Sequence, residues 1–358
     1  MMTTNRRLLL QGALTAGAAV VFGRASQVAA ATAGASAPTG DPLSYVNPQF
    51  RQPLETVFKA VPEMKLDTAS LAARRSFRFP GMPQPAATPP WERRLIKGRG
   101  GAPDVPVFVI NGGARGTARP AILQIHGGGY VTGRAEDAIV ANQAMARELD
   151  CVIVSVDYRL APETPFPGSL EDNYAALKWL HDQAATLGAD PARIAVMGES
   201  AGGGHAAMLA IAARDRGEVP LAGQVLIYPM LDDRTGSTRA VPAHIGHYVW
   251  TPESNRFGWT ALLGRPAGSA RVPYGAVPAR VADLAGLPPA FIGVGSIDLF
   301  VQEDVEYANR LIGAGVPTEL YVVPGGYHGF DFICADAPLA RQFRAAWLAM
   351  LRRVFQPT

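Results

Sequence analysis

A serine flanked by glycines, at the junction of an apolar run and a helical pattern, is the strongest sign of chemistry in this chain. Gly198-Glu199-Ser200-Ala201-Gly202 follows the short strand-like run Ile194-Ala195-Val196-Met197 and opens residues 201–214, which read as a helix despite their glycines. A G-x-S-x-G segment in that position predicts a strained strand-to-helix turn that lifts the serine hydroxyl out above a sheet. Glycines must flank the serine because side chains there would strike the neighbouring strand or helix, and because the turn forces an unfavourable φ. A helix starting at the serine also directs its free N–H groups and positive dipole end at any developing oxyanion. The second feature is His126-Gly127-Gly128-Gly129-Tyr130, directly after the apolar run of residues 121–125. Bare glycines let backbone N–H groups approach a substrate oxygen closely, and donors aimed at a tetrahedral O⁻ stabilise the transition state by about 3 kcal/mol each. A phosphate-binding loop would need GxGxxG or Gly-Lys-Ser/Thr, and neither is present here. Together the two segments point to acyl transfer through a serine nucleophile.

A serine hydroxyl attacks well only when a neighbouring base takes its proton and a carboxylate orients that base. In the α/β-hydrolase arrangement to which such a turn belongs, the chain order is Ser, acid, His. The histidines after Ser200 are His205, His244, His247 and His328. His205 lies in the nucleophile's own helix and reads as a packed core residue. His244 and His247 have metal-like spacing, but no further ligands accompany them, so no metal is expected. His328, in Gly325-Gly326-Tyr327-His328-Gly329-Phe330, follows the last strand and is the expected base. Asp298 ends the strand pattern of residues 291–295 and is the expected acid, because catalytic residues gather just beyond strand C-termini. Its competitors Glu303 and Asp304 fall in the following helix, where they are expected as capping or surface charges.

The elements that must position these residues are legible as alternating patterns from about residue 91. Residues 94–96 and 105–110 read as an opening hairpin. Strand-like runs follow at 121–125, 152–156, 194–197, 225–228, 290–294 and 320–323, with helical stretches near 137–149, 170–185 and 201–214. Unbroken Val/Ile runs fit strands covered on both faces. The expectation is an α/β fold of the α/β-hydrolase kind: a mostly parallel eight-stranded sheet, helices on both faces and a helical cap. The core is expected over residues 91–230 and 286–358. Residues 36–90, broken by Pro80, Pro83, Pro85, Pro89 and Pro90, and residues 231–285, with a helical piece near 253–263, depart from this rhythm and are read as two cap segments. Tyr130, Tyr248, Trp250 and Phe257 are candidates for the pocket lining and equally for the cap core.

Residues 1–35 read as an address. Arg6-Arg7 precedes an uncharged stretch from Leu8 to Gly23, and Ala29-Ala30-Ala31 and Ala31-Thr32-Ala33 offer small-residue cleavage sites. The arginine pair followed by three leucines is twin-arginine-like, although Asn5 and Gln11 depart from the usual flanks. Export to the periplasm or beyond is the expectation, with an uncleaved anchor as the alternative. Over 358 residues, 48% hydrophobic and 18% charged, a formal charge of +3 with no basic run excludes disorder and gives no support to nucleic-acid binding. Stable membrane insertion after signal removal is not expected either. Cys151 and Cys334 are expected as buried free thiols.

HGGGY at 126–130, Asp157-Tyr158-Arg159-Leu160-Ala161-Pro162-Glu163, GESAGG at 198–203, Asp298-Leu299 and His328-Gly329-Phe330 together resemble the bacterial hormone-sensitive-lipase-like carboxylesterases over roughly residues 90–355. The resemblance implies hydrolysis of a small-molecule carboxylic ester without cofactor or metal. It implies short to medium acyl chains, with a lid built from the N-terminus and an insertion before the acid-bearing strand. By the same analogy Gly128, Gly129 and Ala201 supply the oxyanion N–H groups. His126, Asp157, Arg159 and Glu163 then brace loops around the site, stiffened by Pro162 and Pro165. One departure is Gln302, at a position where the family often has a second acidic residue; it puts a supporting contact in doubt. Lactone, amide or carbamate hydrolysis would use the same residues. A non-catalytic binding protein on this fold would be expected to lack a member of the triad, and all three are present.

Overall fold

The computed structural model describes residues 41–60, 66–78, 82–114 and 116–356. The address segment lies outside the described residues. Residues 152–156, Val-Ile-Val-Ser-Val, show how the sheet arises: β-branched residues at four of five positions, every one of the five buried, with no solvent-facing position. Eight strands form one sheet: β1 (Trp91–Ile96), β2 (Val105–Ile110), β3 (Arg119–Ile125), β4 (Val152–Val156), β5 (Ala189–Glu199), β6 (Gly223–Ile227), β7 (Ala290–Gly295) and β8 (Thr318–Val323). Their order is β1-β2-β4-β3-β5-β6-β7-β8, with β2 antiparallel to both neighbours and all pairs from β4 to β8 parallel. This is the expected α/β-hydrolase sheet.

Ten helices accompany it among the described residues: α1 (Pro48–Ala60), α2 (Leu71–Ser76), α3 (Ile139–Leu149), α4 (Gly168–Asp182), α5 (Ala184–Leu187), α6 (Ala201–Arg216), α7 (Pro252–Leu263), α8 (Val301–Gly313), α9 (Phe330–Ile333) and α10 (Pro338–Val354). Successive residues of a strand point to opposite faces. Ala121, Leu123 and Ile125 of β3 accordingly join a core with α4, α6 and α8, while Ile122 joins a second core with α1, α3, α9 and α10. Among the described residues no helix is long and apolar enough to cross a membrane.

The two irregular segments are anchored differently. α1 sits beside the loop after β8: Asn47 N–H donates to Gly325 O at 3.1 Å, and Phe58 meets Tyr248 at 6.1 Å. α7 begins on Thr251, whose hydroxyl accepts the Ser254 N–H with Pro252 in the first turn, and ends on Gly264 in the left-handed region. Residues 279–285 lie along α6 and α8, where Arg214 of α6 donates to Asp283 O and Ala285 O and Arg310 of α8 donates to Ala279 O at 2.7 Å.

Candidate active site

Strand β5 ends in a turn that costs backbone energy. Ser200 has φ 58° and ψ −122°, a conformation that a non-glycine residue adopts only when its surroundings hold it there. Three hydrogen bonds do so: Ser200 N–H donates to Ile227 O at 2.9 Å, and Ser200 O accepts from Gly204 N–H and Met230 N–H, each at 3.0 Å. Gly202 must be glycine for a steric reason, since a Cβ there would stand 2.1 Å from Ile125 O. α6 keeps a helix-weakening Gly202-Gly203-Gly204 run because Gly202 presses against the end of β3, Gly203 against Pro229 and Gly204 against Tyr130 and Met230.

The structure brings Ser200, His328 and Asp298 together. Ser200 Oγ lies 2.9 Å from His328 Nε2, and His328 Nδ1 lies 2.9 Å from Asp298 Oδ2. With Asp298 ionised, Nδ1–H donates to the carboxylate, leaving Nε2 free to accept the serine proton. Asp298 Oδ1 also accepts the Phe300 N–H at 3.0 Å. All three residues are nearly or fully buried, and the imidazole is boxed by Tyr228 at 4.8 Å and Phe300 at 5.2 Å, both edge-on.

The glycine loop lies beside the serine: a Cβ on Gly127 would come within 3.4 Å of Ser200 Cβ. Gly128, at φ 121°, accepts from Thr132 N–H and Thr132 Oγ1, both at 2.9 Å, which closes a tight turn. Among the described residues the N–H groups of Gly128, Gly129 and Ala201 meet no acceptor within the chain. Trp250 covers Gly129 so closely that a Cβ there would be 2.1 Å from the indole. Tyr130 is buried and donates to Met230 O at 2.8 Å, which makes it part of the frame. Phe257 packs against the same core.

The described part of the chain from β3 onward is readily compared with known proteins. The α/β-hydrolase-fold signature matches residues 122–332, more than half of the chain. Carboxylesterase NlhH of Mycobacterium tuberculosis is 36% identical over 268 residues, covering 73% of this chain and 82% of that protein. The chain belongs to the hormone-sensitive-lipase-like esterase family of the α/β-hydrolase superfamily. Among solved structures, a bacterial heroin esterase has a TM-score of 0.75 at 34% identity, covering 88% of this chain and all of that one. Esterase LipW from Mycobacterium marinum has a TM-score of 0.73 at 31% identity and covers 90% of this chain and 99% of that one.

This family member frames its glycine loop with residues the motifs do not mark. Arg75, from the segment before the core, donates to Val131 O and Ala161 O at 2.8 Å and forms a bidentate pair with Glu163, both contacts 2.8 Å. It ties the glycine loop to the loop after β4, and the guanidinium holds the Glu163 carboxyl down at about 2. In the sequence only an unremarkable Arg74-Arg75 pair signals it. Arg159 pairs with buried Asp172 at 2.7 Å, and Asp157 accepts the Ala135 N–H at 3.0 Å. His126 stacks on Tyr158 at 4.2 Å, and Tyr158 Oη donates to His126 O at 2.9 Å.

One sequence reading needs correction. Glu303 and Asp304 are not capping or surface charges: both are buried, because α8 turns them inward behind the site. Glu303 accepts from Leu231 N–H at 2.7 Å and Asp232 N–H at 3.1 Å, while Asp304 has no hydrogen-bond partner among the described residues. Burial, with the Asp232 charge second, pushes the Glu303 carboxyl well above the ordinary range; Asp304 is pushed well above it by burial and by Glu303. Gln302, at the family's usual acidic position, is exposed on the outer side of α8. His205 is fully buried between Tyr130 and Tyr158, with burial lowering it to about 3. His244 stacks on Tyr45 and His247 meets Ala243 O, both away from Ser200. Cys151 and Cys334 are buried free thiols.

Proposed function

We propose that this chain hydrolyses carboxylic esters of short to medium acyl length through an acyl-enzyme on Ser200. The observation that carries the reading is the unbroken pair of 2.9 Å contacts from Ser200 to His328 to Asp298. In the first half-reaction His328 Nε2 takes the Ser200 proton as Oγ forms a bond to the acyl carbon. The carbonyl π electrons move onto oxygen, where the Gly128, Gly129 and Ala201 N–H groups receive the charge. The C–O bond to the alcohol breaks, and the alcohol leaves with the proton from Nε2. Water then repeats the sequence on the acyl-enzyme, with His328 as base, and releases the acid. Asp298 steadies the imidazolium in both halves. Residues 36–90 and 231–285 act as the cap, and Trp250 over Gly129 supports a confined acyl site.

The test is initial-rate hydrolysis of p-nitrophenyl esters of graded acyl length by the wild type and Ser200→Ala. The expected result is a maximum at short or medium length in the wild type and a loss of about 10⁴-fold or more in the variant. Equal rates for both proteins on every ester would overturn the reading and direct attention to lactones and amides.

A further inference from the structure

Behind the nucleophile strand, on the side away from α6, lies a cavity of about 70 Å³ between the sheet, α3 and α10. Its wall is largely apolar, with Met145, Met197, Ile227 and Trp347, but Gln124, Asn142, Glu199, Tyr228, Asp331 and Arg344 also line it. Such a volume has room for a few water molecules, and these polar groups give them hydrogen-bond partners. Glu199 and Asp331 are deep in the protein, yet both retain accessible surface, because they face this cavity.

The two carboxyls are tied to the catalytic residues. Glu199 immediately precedes Ser200 and accepts from Gln124 Nε2 at 3.2 Å. Asp331 follows His328 by one short turn and accepts from Tyr228 Oη at 2.9 Å; the Tyr228 ring stands edge-on to His328 at 4.8 Å. Groups facing the pair from the other elements are few. β3 and α3 present the neutral Gln124 and Asn142, and α10 presents Arg344, whose guanidinium is engaged by Glu148 at 3.1 Å. Tyr158 beside Glu199, Tyr327 and Cys334 beside Asp331, and Tyr228, His328 and Asp298 complete the charged and titratable surroundings. Burial, then the Asp331 charge, raises Glu199 to about 7; burial raises Asp331 to about 6 against the Tyr228 hydrogen bond.

We propose that Glu199 and Asp331 form a positioning pair that holds one proton between them across the cavity, and that the charge they keep steadies the His328 imidazolium formed when Ser200 attacks. Two carboxylates sharing a low-dielectric site do not both ionise easily, so one proton stays near neutral pH. The remaining charge acts on His328 in the same direction as Asp298. Cavity water keeps the pair in proton exchange with solvent.

The proposal rests on the esterase reading, and its test separates the two. Removing one carboxyl leaves the other free to ionise alone, so Glu199→Gln and Asp331→Asn each retain a charge. Each single variant is expected to keep kcat/KM within about threefold of wild type, whereas the double variant loses about tenfold, as expected for a unit charge removed at an effective dielectric near 20. The acid limb of kcat/KM against pH is expected to be broadened by two ionisations in the wild type and to fit one in either single variant. In the double variant it moves down by about one pH unit, since the imidazolium has lost its support. An infrared carbonyl band of a protonated carboxyl, lost between about pH 5 and about pH 9 and missing from the double variant, reads the shared proton without using activity. Additive losses with unchanged pH profiles, or no such band, would overturn the pair while leaving Ser200 essential. An active Ser200→Ala would overturn the esterase reading and this proposal with it.

Discussion

Asp298 and Asp304 stand on the same loop-and-helix segment and are equally inaccessible to solvent, yet their surroundings are opposite. Asp298 is met by the Phe300 N–H and by His328 Nδ1, which give both carboxylate oxygens a donor. Asp304 is met by nothing among the described residues and has Glu303 and Asp298 as its charged neighbours. Glu303 is intermediate: two backbone N–H groups reach one oxygen, and among the described residues the Thr235 hydroxyl adds only a weak contact. Burial alone therefore does not decide what a carboxyl does. The number of donors aimed at it determines whether it works as a charge or as a neutral, packed acid.

The largest effect expected from this contrast is on activity. Asp298→Asn removes the charge that orients His328 and is expected to lower kcat/KM by about 10³–10⁴-fold, whereas Asp304→Asn, an isosteric change at a neutral acid, leaves it within about threefold. Initial rates on one short-chain ester compare the two directly. A comparable loss in both would mean that Asp304 carries charge in the fold.

A smaller effect is expected on stability. Glu303→Ala leaves the Leu231 and Asp232 N–H groups buried without an acceptor and should destabilise the fold by about 1–3 kcal/mol in urea unfolding. Asp304→Asn deprives no partner and should change stability by less than about 1 kcal/mol. Equal costs would show that packing, and not hydrogen bonding, retains both residues.

The smallest effect concerns His205, a buried base without partners to set beside the buried acids. Its folded value near 3 lies below the unfolded value, so below about pH 6.5 the unfolded chain binds a proton that the fold refuses. This contribution is absent at higher pH and costs stability progressively as the pH falls. The raised carboxyls act with the opposite sign, because they hold protons in the fold at a pH where the unfolded chain has released them. They are common to wild type and His205→Leu, so the difference in Tm between the two proteins isolates the histidine. That difference should shift in favour of the variant between about pH 6.5 and about pH 4.5; a constant difference would place a charged partner at His205.

Much of this molecule is legible residue by residue. The strands from β2 onward announce themselves as short apolar runs, whereas β1 carries Glu92, Arg93 and Arg94 and shows only its end. Ser200 is marked by its glycines, and His328 and Asp298 by their places after strand ends. Those signals are local, since a strand covered on both faces and a turn that needs glycine leave their demands in adjacent positions. α6 shows the limit: its glycines read against a helix, and only its close packing on β3, Pro229, Tyr130 and Met230 explains them.

The sequence by itself thus determined the fold class and the residues at the head of the sheet. Tertiary structure alone decided that Arg75 clamps Val131, Ala161 and Glu163, that residues 279–285 lie along α6 and α8, and that α8 turns Glu303 and Asp304 inward. It alone opened a polar cavity between Glu199 and Asp331, residues 132 positions apart in the chain. The reason is physical: a turn or a strand depends on neighbouring residues, whereas the state of a buried charge depends on donors and cavities supplied by distant segments.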